Sequence, residues 1–117
     1  MRSAAVDALG ALGDPHVLDP LLSLLRDPDW LVREAAARAL GALGDPRALD
    51  PLLSLLRDPV WSVRENAAAA LGVLGDPRAL DLLLPLLQDA EFHVRLEVAK
   101  VLQRIAPRAK VRIIRKR

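Results

Sequence analysis

Gly-Asp-Pro occurs three times in this sequence, at Gly13-Asp14-Pro15, Gly44-Asp45-Pro46 and Gly75-Asp76-Pro77, with a period of 31 residues. A fixed period of this length marks one supersecondary unit stacked on copies of itself. Residues 13–43 and 44–74 agree at 24 of 31 positions, and residues 44–74 and 75–105 at 16. Residues 1–12 align with the second half of a repeat, Arg2 falling where Arg33 does and Leu9-Gly10 where Leu40-Gly41 do. The sequence therefore divides into a repeat region, 1–106, and a C-terminal tail, 107–117. The repeat region holds a half repeat (1–12) and three full ones (13–43, 44–74 and 75–105).

Each repeat reads as two helices. Leu and Ala dominate, Val and Ile are sparse and Tyr is absent, so an all-β fold is excluded. Asp14-Pro15 has the form of a helix N-cap followed by proline at the first helical position. The apolar run Val17, Leu18, Leu21, Leu22, Leu24, Leu25 gives a broad stripe, which Pro20 interrupts by restarting or kinking the helix. The second helix is expected over Pro28–Leu43, with Val32, Ala36, Ala39, Leu40 and Leu43 on one face and Gly44 as a left-handed cap. Such a hairpin cannot bury both faces alone. Stacking supplies the missing contacts and predicts an all-α solenoid, an α-α superhelix of stacked helical hairpins.

The pattern Asp-x-x-x-x-Val-Arg-x-x-Ala-Ala-x-Ala-Leu-Gly-x-Leu-Gly-Asp spans Asp27–Asp45, and its counterpart spans Asp58–Asp76. It resembles the short HEAT-like repeats of the phycobilisome-lyase type, over nearly the whole chain. The third copy departs: Leu82 replaces proline, Pro85 enters the first helix and Gln103 replaces glycine, as in a partly capping terminal repeat. The resemblance implies a solenoid whose second helices line a concave face. It implies a binding scaffold in most members, bilin attachment or detachment in some, metal-dependent hydroxylation in others and DNA binding in some relatives.

Catalysis has little material. His16 and His93 occupy non-equivalent repeat positions, and no His-Glu pair stands at ligand spacing, so no metal site is expected. The serines have no histidine partner suggested by the sequence, and the glycines stand singly at helix ends and do not form a phosphate-cradling loop. No cofactor and no catalytic residue are expected. Cysteine is absent, which excludes disulfides and thiolate metal sites. No apolar run approaches the ~20 residues that span a bilayer. Met1 leads into Arg2-Ser3-Ala4-Ala5 without a secretory apolar core. These features predict a soluble cytoplasmic protein.

The differences between repeats point to a surface. Leu31/Ser62, Ala35/Asn66, Arg38/Ala69 and Ala42/Val73 differ between the first two full repeats at spacings of 4, 3 and 4, which is one helical stripe. The three aromatic residues, Trp30, Trp61 and Phe92, share one repeat position beside it. A ring fully buried by a partner removes ~150–250 Å² from water, roughly 4–6 kcal/mol before ordering costs. The same rings can equally serve as packing between repeats. The face expected to bind a partner protein comprises Trp30, Leu31, Glu34, Ala35, Arg38, Trp61, Ser62, Glu65, Asn66, Ala69, Phe92, His93, Leu96, Glu97 and Lys100. Arg33, Arg64 and Arg95, beside Asp27, Asp58 and Asp89, read as inter-repeat ion pairs that also hold helix starts.

Charge is uneven. Residues 1–103 carry ten Lys/Arg and fifteen Asp/Glu (10 − 15 = −5), whereas residues 104–117 carry seven Lys/Arg and no acid (+7). Arg108, Lys110, Arg112, Arg115, Lys116 and Arg117 form a candidate polyanion site, without the interleaved aromatics that stack on bases. A solvated terminus is the plain alternative. The sequence predicts a non-catalytic protein–protein interaction scaffold. Weak nucleic-acid binding through the tail and an accessory role in a bilin lyase are the rival readings. Exposed apolar solenoid ends further predict a homodimer.

Overall fold

A computed structural model describes residues 6, 8 and 13–106. The described residues form α1 (Leu18–Leu24), α2 (Trp30–Leu43), α3 (Leu49–Leu55), α4 (Trp61–Leu74), α5 (Leu80–Leu83) and α6 (Phe92–Ile105). Short 3-10 turns at Pro15–Val17, Pro46–Ala48 and Pro77–Ala79 precede α1, α3 and α5, and a further one, Leu84–Gln88, follows α5. Val6 and Ala8 are helical, with Val6 buried against the core. The rest of the expected half repeat lies outside the described residues.

The first helix of each repeat begins later than Asp-Pro suggests. Asp45 and Asp76 accept from the backbone N–H of Arg47 and Arg78 (both 2.9 Å), capping the 3-10 turn and not the α-helix. The α-helix starts at Leu18 or Leu49, so Pro20 and Pro51 fall in its first turn, where the missing N–H has no intrahelical acceptor to lose. The helix restarts before the proline and is not kinked by it. The second helices start at Trp30, Trp61 and Phe92, two residues beyond the expected Pro28 in the first repeat. Asp29 caps α2 by accepting from Leu31 N (3.0 Å). Gly44 and Gly75 close α2 and α4 at φ 72° and 67°, a left-handed conformation that a Cβ would strain.

The helices form two layers. α2, α4 and α6 pack on one another in sequence, and each first helix packs against the second helix of its own repeat. The close second-helix spacing depends on small residues. A Cβ added at Gly41 would stand 3.0 Å from both Cα and Cβ of Ala70, and one at Gly72 would stand 2.9 Å from Val101 Cγ2. Leu21, Leu52 and Leu83, equivalent across the three repeats, are fully buried between the layers, as are Leu40, Leu71, Val32, Val63 and Val94.

The arginine–aspartate ladder joins each repeat to the next. Arg33 Nε donates to Asp58 Oδ2 (2.7 Å) and its Nη2 to Asp58 Oδ1 (3.2 Å). Arg64 repeats this on Asp89 at 2.8 and 3.0 Å. The aspartate side chains are 6% exposed in both pairs, and the arginines 15% and 16%. The same guanidinium groups tie down their own turn, Arg33 Nη1 donating to Asp27 O (2.8 Å) and Arg64 Nη1 to Asp58 O (2.7 Å). Asp58 and Asp89 also accept from Val60 N and Glu91 N (both 2.9 Å), so each carboxylate orders the turn and accepts the neighbour's fork. Burial pushes the Asp89 carboxyl upward. The Arg64 fork, the Glu91 N–H and the charges of Arg64 and Arg95 together outweigh it and hold the group below the usual carboxylate value.

Candidate functional site

The second helices begin at one edge of the stack, where Trp30, Trp61 and Phe92 remain 41%, 37% and 57% exposed. These rings do not stack on one another. Trp61 lies parallel to the imidazole of His93 in the next repeat (centroids 5.1 Å apart, 19° between planes), and Phe92 meets the same imidazole edge-on at 5.7 Å. Each tryptophan is therefore part packing and part surface. The remaining two-fifths of a ring offers a partner about 2 kcal/mol of burial.

Behind this edge the structure gathers charge. Glu34 holds Arg38 across one helical turn (2.8 Å). Glu65 is raised above the usual carboxylate value, chiefly by burial; His93 and Lys100 lower it, and Glu97 and Glu34 raise it further. The expected face residues Glu34, Glu65, His93, Glu97 and Lys100 thus share one electrostatic environment. Leu31 and Leu96 are 46% and 43% exposed beside them, while Ser62, Asn66 and Ala69 are half-buried. Asn66 donates to Ser62 O (2.8 Å), and the buried Ser62 Oγ has no hydrogen-bond partner.

Ala35 does not belong to the accessible face. It is fully buried, because its side chain turns into the packed layer. The varying stripe therefore dips inward at its middle, and only its two ends, Leu31 with Arg38 and Ala42, reach solvent in α2. Arg108, Lys110, Arg112, Arg115, Lys116 and Arg117 lie outside the described residues. Among the described residues no group of three or more His, Asp or Glu is placed to hold a metal ion. No described helix is long and apolar enough to cross a membrane.

On the opposite layer lies a feature the sequence reading did not name, a groove of about 660 Å³ between the first two repeats. Leu22, Leu25 and Arg26 form one wall, and Asp50, Pro51 and Ser54 the other. It opens where small or ring-closed residues, Ser23, Pro51 and Ser54, leave the first helices apart. Those residues were visible in the repeat, but their facing across the seam was not.

No curated protein matches the chain. A solved structure, the complex of CpcE and CpcF of phycocyanin lyase from Nostoc sp. PCC7120, is similar with a TM-score of 0.81 and 29% identity. The similarity covers 92% of this chain and 45% of the chain it matches, so this sequence spans about half the length of that relative. The family model for HEAT repeats matches residues 1–71 and 50–117. The two matches together span the sequence, and the chain belongs to the HEAT-repeat family.

Proposed function

We propose that this chain is a non-catalytic scaffold that binds another protein through the face of its stacked second helices. One observation carries the reading. A partly exposed aromatic edge, Trp30, Trp61–His93 and Phe92, borders the charged strip of Glu34, Glu65, Glu97, Arg38 and Lys100 on three consecutive helices. Apolar anchors beside a polar rim are the composition of an interface, and tryptophan is enriched among residues that dominate binding energy. The mechanism is rigid presentation, with no covalent step. The basic tail adds non-specific affinity for acidic partners, and the acid-rich strip does not suit wrapping of nucleic acid.

The test is a binding titration with a purified partner, set beside denaturant melts. Leu31→Asp should weaken binding about tenfold or more while stability changes by about 1 kcal/mol or less, and Trp61→Ala should weaken binding as much while costing about 2–3 kcal/mol of stability through the part of its ring that packs on His93. Losses of several kcal/mol in stability with unchanged affinity would show that these side chains serve packing alone.

A second reading rests on the 29% identity to a chain of the phycocyanin lyase complex. In it this chain is an accessory subunit of a bilin lyase and its partner is a second repeat subunit. Absorbance spectra after mixing with a bilin separate the two: a spectral shift supports the lyase role, and an unchanged spectrum leaves the general scaffold.

A further inference from the structure

The two seams between second helices differ at two positions on the proposed binding face. Where α4 meets α6, the ring of Trp61 lies parallel to the His93 imidazole, with 5.1 Å between centroids. In α4 the position of His93 is held by Ser62. Among the described residues no aromatic ring stacks on Trp30, which is 41% exposed. The buried Ser62 Oγ makes no hydrogen bond. One turn further along the same helices the pattern reverses, and α4 carries Glu65 where α6 carries Leu96. The seam that supplies its own planar, protonatable ring thus omits the carboxylate. The seam that omits the ring adds one.

Glu65 is short of cations. Its equivalent in α2, Glu34, is closed by Arg38 at 2.8 Å. Glu65 is half-buried and forms no ion pair or hydrogen bond with a described residue. Burial has the largest influence on its carboxyl and raises it; His93 and Lys100 offset only part of that, and Glu97 and Glu34 add to it. A dehydrated carboxylate without a hydrogen bond gains most from an arriving cation.

We propose, resting on the scaffold reading above, that the seam between α2 and α4 seats one arginine of the partner protein, its guanidinium lying flat on Trp30 and donating to Glu65. Three features select arginine. Its planar group stacks on an indole as the imidazole does on Trp61. Its fork of donors matches a carboxylate. Its side chain spans the roughly 5–6 Å between neighbours three residues apart on a helix, the spacing of Ser62 and Glu65. Lysine has the charge without the plane, and a phosphate backbone is repelled by Glu34, Glu65 and Glu97.

The test uses the full chain carrying Trp61→Phe, which keeps a ring beside His93 and leaves Trp30 as the single indole. The probe is an acetylated, amidated hexapeptide alternating glycine and arginine. A saturable change in Trp30 emission is expected, with a Kd on the order of 1 mM or tighter. Citrulline in place of arginine keeps the stem and the plane but not the charge; it should weaken binding at least about tenfold, and lysine about threefold or more. Glu65→Gln should cost about tenfold. Ser62→His copies the third repeat, should place the chain's own imidazole on Trp30 and should weaken binding as much. Position 62 is packed, so a melt accompanies that variant; Glu65→Gln changes a partly exposed side chain and should leave the melting midpoint nearly unchanged. Arginine and lysine peptides that bind alike and ignore Glu65→Gln would reveal diffuse attraction to an acidic surface and overturn the proposal. Emission unmoved at about ten times the expected Kd would overturn it too. The two readings fail separately: if Leu31→Asp weakens a purified partner and Glu65→Gln does not, the scaffold stands and the arginine seat falls.

Discussion

The second and third repeats follow one plan and differ in how their first helix is built. In the second, α3 runs unbroken from Leu49 to Leu55, with Pro51 in its first turn. In the third the proline has moved from that position to Pro85, which is equivalent to Ser54, in the last turn of α3. There the ring removes an N–H that the helix would use and clashes with the carbonyl four residues back. The α-helix accordingly stops at Leu83, and the chain continues as the 3-10 turn Leu84–Gln88. Leu52 and Leu83 remain fully buried in both, so the change spares the anchor and loosens the end: Leu55 and Leu56 are buried, whereas Leu86 and Leu87 are half-buried. A repeat at the interior must satisfy neighbours on both sides. The last described repeat packs against a described neighbour on one side, through α4 and α6.

The largest expected effect tests the ladder on which that contrast rests. Arg64→Ala leaves Asp89 buried without its fork and should cost about 3–5 kcal/mol in a denaturant melt. Arg95→Ala removes backbone contacts but no ion pair and should cost about 1 kcal/mol. Equal losses would mean that the two repeats are not distinguished by pairing. Next come the prolines. Ser54→Pro should break α3 and cost about 3 kcal/mol, while Pro85→Ser should lengthen α5, raise the helical circular-dichroism signal and gain about 1 kcal/mol. An unchanged spectrum in Pro85→Ser would place the cause of the 3-10 turn elsewhere. A smaller effect concerns spacing. Gly41→Ala meets the backbone of Ala70 and should cost about 1–2 kcal/mol, despite alanine's better helix propensity. Gln103→Ala meets no described helix and should be neutral or slightly stabilising.

The smallest effect is electrostatic. Asp89 is held below its ordinary value in the folded chain, so its stabilisation is complete above the unfolded pKa of about 3.9 and is lost as pH falls through the folded value. Melts should therefore weaken below about pH 4, and Arg64→Ala should flatten that dependence. A mutant as acid-sensitive as the parent would assign the loss to other carboxylates.

The period, the helical hairpins and the ion-pair ladder were legible because each is written three times. Repetition separates what every copy needs, such as Arg33, Arg64 and Arg95, from what one copy happens to carry. The left-handed cap at Gly44 was legible for the same reason. Two kinds of information were not. First-helix starts shifted by three residues, from Pro15 to Leu18 and from Pro46 to Leu49, because aspartate and proline suit a 3-10 turn as well as an α-helix, and tertiary packing chooses between them. Ala35 was misplaced because a periodic stripe gives an angle around the helix, not a depth: a small side chain beside a close neighbour is covered at an angle where a larger one would emerge. The Trp61–His93 stack was also hidden, since it joins non-equivalent positions of adjacent repeats and no period announces it.

The pairing rule bears on how such a chain can change length. Arg33 reaches Asp58 and Arg64 reaches Asp89, each 25 residues ahead. Loss or duplication of a 31-residue block shifts donor and acceptor together. Excision of residues 44–74 would join Leu43 to Gly75, bring Asp89 to the place Asp58 had held and deliver it to Arg33 in register. Unequal recombination between near-identical stretches of coding sequence would thus yield longer or shorter chains with their ion pairs closed at once. In a domain whose core is shared by distant segments, the same genetic event would remove contacts that no remaining segment could restore.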